Sequence, residues 1–217
     1  MRAFIQRYLD PVDRLGEILF GLIMALGFTG AVRLGHEKAD NRELFIGIVG
    51  CNVAWAIVDG VMYVLGALFE RGRKARLIRD VLMAPNEAAA RQCVDDELGE
   101  RLAPVTTLEE REQIYGWVLA IVGRVQPEQP IVRREDILGG VAVALVIVLA
   151  TFPVVVPYLV VRNPNQAVRV SNVIALGLLF LLGVRWGQIV GAKPFHIGAG
   201  LTLVGLALVL ITIAFGG

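Results

Sequence analysis

Asp59 is the residue that most needs a chemical explanation. It is the only charge in Leu44–Phe69, 26 residues that read as a membrane span. A carboxylate near the centre of a transmembrane helix costs about 2.5–3.5 kcal/mol to insert. The thirteen Leu, Ile, Phe and Val residues of this stretch, at roughly −0.3 to −0.6 kcal/mol each, carry it across despite that penalty. Acids kept inside a membrane face cavities, pair, or relay ions and protons. At helical spacing Asn52, Trp55, Asp59, Met62, Tyr63 and Gly66 share one face. That stripe of carboxylate, amide, phenol and thioether could line a wet pathway; the alternative is an aspartate bonded to a neighbouring helix for packing alone. In the preceding apolar segment Glu17, Gly21 and Met24 share a face, with Glu17 about 10 Å from Met24 by helical rise. Glu17 reads equally well as an interfacial acid beside Arg14.

A second set of carboxylates lies in the charged block that follows. Glu97 with Glu100, and Glu109 with Glu112, are E-x-x-E pairs. On a helix, i,i+3 spacing points two carboxylates the same way, one turn apart, which suits a cation such as Fe²⁺ or Mn²⁺. Acids on an exposed helix are more often simply solvated, so spacing alone permits metal binding without requiring it.

The elements that must position these groups follow from composition. The chain has 217 residues, 56% hydrophobic, with mean hydropathy +0.65 and formal charge +1. Such hydrophobicity suits an all-α multi-span membrane protein, with the lipid bilayer as its first partner. Five segments are long enough to span: Arg14–Leu34, Leu44–Phe69, Ile137–Val161, Val168–Val190 and Phe195–Phe215. Each must be helical, because lipid offers no partner for backbone N–H and C=O groups. The expected organisation is an interfacial amphipathic helix over 1–12, stopped near Pro11; spans one and two over 13–70; a helical acidic domain over 71–135; and spans three to five over 136–217. Sixteen of the 21 Lys and Arg residues then fall on the side shared by the N-terminus and the block. That bias predicts a cytoplasmic N-terminus and block, an external C-terminus and, in a cell without vacuoles, the plasma membrane. Pro153 and Pro157 are expected to kink the third span. Gly183, Gly187 and Gly191 form a small-residue ladder for close helix contact.

Within the block, Glu70–Leu82 should continue the second span as a helix. Asn86 is placed to cap a helix reaching Arg101, laced by Glu87/Arg91, Arg91/Asp95 and Glu97/Arg101. Thr107 with Glu110 fits a capping box opening a third helix to Gly123, its stripe of Leu108, Tyr115, Val118, Leu119 and Val122 packing inward.

Several functions find no footing. Ser171 is the single serine, the cysteines are Cys51 and Cys93 alone, and the histidines are His36 and His196. No GxSxG, HExxH or GxGxxG occurs, so neither an enzyme nor an organic cofactor is expected. Acidic and basic residues alternate through the block, which argues against nucleic acid as a partner.

This layout resembles the vacuolar iron transporter family. "GCNVAWAIVDGVMYV" is similar to that family's second-span "SMAxGEY" stretch, with Asp59 at the glutamate; "TFPVVVPYLVV" is similar to its proline-bearing "PLLPYLL". The run from "LLFLLGVRWGQIVGAKPF" to the C-terminus resembles its "FLLGxxxxxxxG", loop and glycine-rich last helix. The likeness covers most of the chain from Leu15 to Gly217. It implies a homodimer that exports Fe²⁺, or Mn²⁺, from the cytosol in exchange for protons. It also implies a path between protomers lined by the first two spans, with Glu97, Glu100, Glu109 and Glu112 gathering metal. One departure stands out. The family's first span carries an acid in an "(N/S)DG" stretch, where this chain reads "LIMAL" with Met24 at that place. Asp59 then serves alone, Glu17 substitutes from two turns away, or the chain does not carry iron.

Two functions of different class therefore fit: a proton-linked divalent-cation exporter, and a non-transporting membrane scaffold or sensor of the same fold whose cytoplasmic domain binds a partner. Sparse His and Cys favour Fe²⁺ or Mn²⁺ over Zn²⁺ or Cu⁺ as the cargo.

Overall fold

A computed structural model describes the backbone of residues 2–35 and 40–214, and the side chains of residues 4–27, 40–211 and 214. The side chains of Leu34 and Phe215, expected ends of the first and fifth spans, and of Arg33, His36 and Lys38 lie outside the described residues. Among those described there are eight helices and no strand: α1 (Arg2–Tyr8), α2 (Pro11–Gly35), α3 (Asn41–Leu82), α4 (Glu87–Leu102), α5 (Leu108–Val122), α6 (Arg134–Val160), α7 (Pro164–Val190) and α8 (Pro194–Ala214). By length and composition α3, α6, α7 and α8 can each cross a membrane, as befits an integral multi-pass membrane protein. The first expected span lies in α2, whose side chains are described only as far as Gly27.

Prolines open three of these helices, where a missing N–H costs nothing. Pro11 thus starts α2 rather than merely stopping α1, and Asp10 Oδ1 accepts from Val12 N at 2.7 Å and Asp13 N at 3.0 Å. Pro164 follows Asn163, which accepts from the amides of Asn165 and Gln166, and Pro194 begins α8. Pro153 and Pro157 both lie inside α6, which continues to Val160. Each removes one i to i−4 bond, freeing the carbonyls of Leu149 and Pro153.

The chain falls into two compact units: Met1–Tyr63 with Arg134–Gly217, and Val64–Arg133. Helix α3 contributes to both: Asn41–Tyr63 belongs to the first unit, and Val64–Leu82, which includes the helical continuation expected over Glu70–Leu82, to the second.

In the first unit α2 packs on α6, α7 and α8, while α1 lies against α6 and α7 against α8. Leu22, Leu26, Leu44, Ile48, Val154 and Leu179 form the larger buried cluster. Backbones approach closely at glycines. A Cβ at Gly183 would sit 2.7 Å from Gly198 Cα, and one at Gly187 would sit 2.7 Å from Pro194 Cα, so the ladder does form the α7–α8 seam. Gly191 serves differently, since with φ +70° it ends α7 in a left-handed cap, a conformation that favours glycine.

The second unit comprises the end of α3 with α4 and α5, around Val81, Val94, Tyr115 and Val122. Asn86 caps α4, and Thr107 with Glu110 forms the full capping box of α5. The inward stripe holds except at Leu108, which is 74% exposed because it opens α5, before the helix meets its neighbours. The Arg71 guanidinium donates to the Ile131 carbonyl, tying the segment that leaves α5 to α3.

Candidate functional site

The carboxylate in α3 sits in a half-buried position, and its Oδ2 is shielded from solvent with no hydrogen-bond partner among the described residues. Helix α2 brings Glu17 within electrostatic reach of Asp59, and Asp13 within reach of Glu17. Asp136, buried at the first turn of α6, and Asp13 also act on Tyr63. Three helices of the first unit therefore place acids in one neighbourhood. Asp13 and Asp136 were missed in the sequence because each borders a charged segment and reads as a solvated helix-end acid. These groups do not close into one coordination shell: among the described residues no three His, Cys, Asp or Glu side chains gather closely enough to hold an ion.

The other residues of the stripe divide between two directions. Asn52 is 2% exposed; its Nδ2 donates to Ile48 O at 3.0 Å, and its Oδ1 accepts from Thr151 Oγ1 at 3.1 Å. It borders a pocket of about 160 Å³ lined mostly by apolar side chains such as Phe45, Val148 and Phe152. Its amide is thus occupied in joining α3 to α6. Tyr63 donates to the Tyr8 carbonyl at 3.1 Å, and its ring lies where a Cβ on Gly139 would overlap it. Gly60 likewise lets α3 approach the Gly140 carbonyl, where a Cβ would come within 2.8 Å. Gly60, Gly139 and Thr151 thus seat α3 on α6. The Gly-Gly pair just inside the third span was a signal for this contact. Met62 is 60% exposed and Trp55 41%, so both face outward; Trp55 meets Phe20 edge-on, with ring centroids 5.9 Å apart. Met24 is half-buried in α2.

In the second unit the E-x-x-E carboxylates are split by their partners. Glu97 pairs with Arg73 at 3.2 Å instead of Arg101. Glu112 pairs with Arg91 at 2.9 Å, and Arg91 also holds Glu87 at 2.8 Å. The hydrogen bond and charge of Glu87, with the charge of Glu112, hold the Arg91 guanidinium above its ordinary pKa. Asp95 accepts instead from the Tyr115 hydroxyl, which pushes that phenol up. Glu100 and Glu109 are exposed and make no ion pair among the described residues. Arg91, Asp95, Arg111, Glu112 and Tyr115 line a polar groove of about 400 Å³ between α4 and α5.

The arrangement offers two carboxylates near one another in an apolar setting, and a separate surface where half of the four expected ligands are already neutralised. No protein-family model matches this chain, and no curated protein matches it either.

Proposed function

We propose that the protein is a divalent-cation transporter that moves Fe²⁺ or Mn²⁺ out of the cytosol in exchange for protons. It works as a homodimer in the plasma membrane, crossing five times with its N-terminus cytoplasmic and its C-terminus outside. The observation that carries this reading is the Asp59 carboxylate: it lies in a span, one oxygen is hidden and unpartnered among the described residues, and Glu17 is in electrostatic reach. Two like charges in a low-dielectric setting resist joint ionisation, so a bound cation or a proton relieves them. The pair supplies too few ligands for a hard cation, which takes six or more oxygens. A second copy would double the carboxylates, and the apolar outward face formed by Trp55, Val58 and Met62 would meet it. Glu17 then takes the role left open by Met24. Glu100 and Glu109, unpaired among the described residues, attract cations more readily than Glu97 and Glu112.

The test is Fe²⁺ or Mn²⁺ entry into proteoliposomes containing a reporting dye, with and without a pH gradient. Wild type should show gradient-dependent flux, Asp59→Asn none, and Glu17→Gln a flux that no longer follows the gradient. Absence of flux from inserted, folded wild type would sink the reading.

The scaffold or sensor reading has its own support in the second unit. Trp117 is 68% exposed and Ile121 62%, one turn apart on α5. Such a pair suits a protein partner. Unchanged cellular function in Asp59→Asn, with loss in Trp117→Ala, would favour it.

A further inference from the structure

A different part of the first unit holds a groove of about 570 Å³ between α2, α6 and α7, with Ile5 of α1 at its edge. Leu22 and Leu182 are buried at its floor, and Leu149 and Leu181 stand at its lip, 41% and 59% exposed. Two charges break this apolar lining, Arg14 and Arg185. The volume is that of a small-molecule site. From Arg14 to Leu22 the groove follows eight residues of helix, about 12 Å, against roughly 15 Å for one leaflet of hydrocarbon.

The guanidiniums are not consumed by acids. Arg14 Nε donates to the Asp10 carbonyl at 3.3 Å, and Arg185 Nη1 donates to Gln188 Oε1 at 2.9 Å. Neither makes an ion pair among the described residues, which leaves both Nη groups of Arg14, and Nε and Nη2 of Arg185, for a ligand. Asp10 lies within electrostatic reach of Arg14, and neither Asp10, Asp13 nor Glu17 lines the groove. Snorkelling alone would take each arginine to water separately. Here two helices bring them to one apolar slot.

We propose that this groove binds one anionic phospholipid, its acyl chain along Leu15, Ile18 and Leu22 and its phosphate between Arg14 and Arg185. Guanidinium and phosphate match in charge and in fork geometry. A chain lying in the slot removes Leu149 and Leu181 from the bulk lipid.

Native mass spectrometry of the full chain in detergent tests this, titrating dioleoyl phosphatidylglycerol against dioleoyl phosphatidylcholine. Phosphatidylglycerol should bind about fivefold or more tightly at low salt, and the preference should shrink as salt rises. Arg14→Gln with Arg185→Gln should erase the preference, the double lysine variant should keep part of it, and Ala150→Phe should weaken both lipids by filling the slot. If the glutamine variant does not fold, the wild-type preference and its salt dependence still decide. Equal affinity for the two lipids overturns the proposal, as does an undiminished preference in folded Arg14→Gln, Arg185→Gln protein. So does displacement of the lipid by inorganic phosphate with no effect of Ala150→Phe, which would assign the arginines to a free anion. Lipid bound by the wild-type monomer but by no wild-type dimer would overturn the proposal and give the groove to a second copy.

Discussion

The same functional group behaves differently in the two units. In the first, Asp59 keeps an oxygen hidden and without a hydrogen-bond partner among the described residues. In the second, Glu97 and Glu112 stand partly in water, each against an arginine. Surface pairs are inexpensive to form and easily exchanged, so a solvated acid says little about function. An acid in lipid carries an insertion cost that packing does not return. The contrast shows why environment, more than spacing, identifies the informative carboxylate. Cohesion differs too: the first unit brings its helices to close backbone approach at glycine, whereas the second packs them around an apolar cluster with ion pairs between them.

The sharpest way to break the comparison is to neutralise one acid in each unit. Asp59→Asn should reduce cation flux to the liposome background, whereas Glu112→Gln should leave most of it, measured side by side at matched insertion. Equal loss would mean that exposure does not separate the two acids. Next in size is the α7–α8 seam. Gly183→Val should destabilise the protein by about 1–3 kcal/mol or unfold it, as overpacking does, because the added Cβ meets Gly198 backbone. Gly177→Val, where nothing lies within 4 Å of a Cβ, is the control. Thermal melts of the detergent-solubilised variants read the difference.

In the second unit, Thr107→Ala should cost about 1 kcal/mol by removing the cap of α5. Hydrogen exchange at the α5 amides reports it locally. The Thr107 backbone N–H and hydroxyl hold the Glu110 carboxyl below its ordinary range. A lowered folded-state pKa contributes stability that is present above the unfolded value and lost as pH falls through the folded one. The α5 N-terminus should therefore loosen in acid below the usual glutamate range, and Glu110→Gln should flatten that response. Smallest is the Asn52–Thr151 contact. A double-mutant cycle with Asn52→Leu and Thr151→Val should give a coupling of about 0.6 kcal/mol, typical of hydrogen bonds between membrane helices.

What the chain shows by itself is whatever its near neighbours decide. The spans of α3, α6, α7 and α8 are visible because twenty apolar residues admit few other readings. The caps at Asn86 and Thr107–Glu110 are visible because donor and acceptor lie within three residues. The Gly183 and Gly187 seam is visible because periodicity puts both on one face. Tertiary structure alone decided the rest. Arg91 chose Glu112, 21 residues away, as well as Glu87, and Glu97 took Arg73. Asn52 met Thr151, 99 positions on, and so left the stripe for the helix interface. Glu17 and Asp59 came into each other's field, and Arg14 met Arg185 across a groove. Each of these depends on the relative rotation and register of helices distant in sequence. A turn of about 100° per residue selects which side chains face inward, and only the packed backbone determines what they meet there.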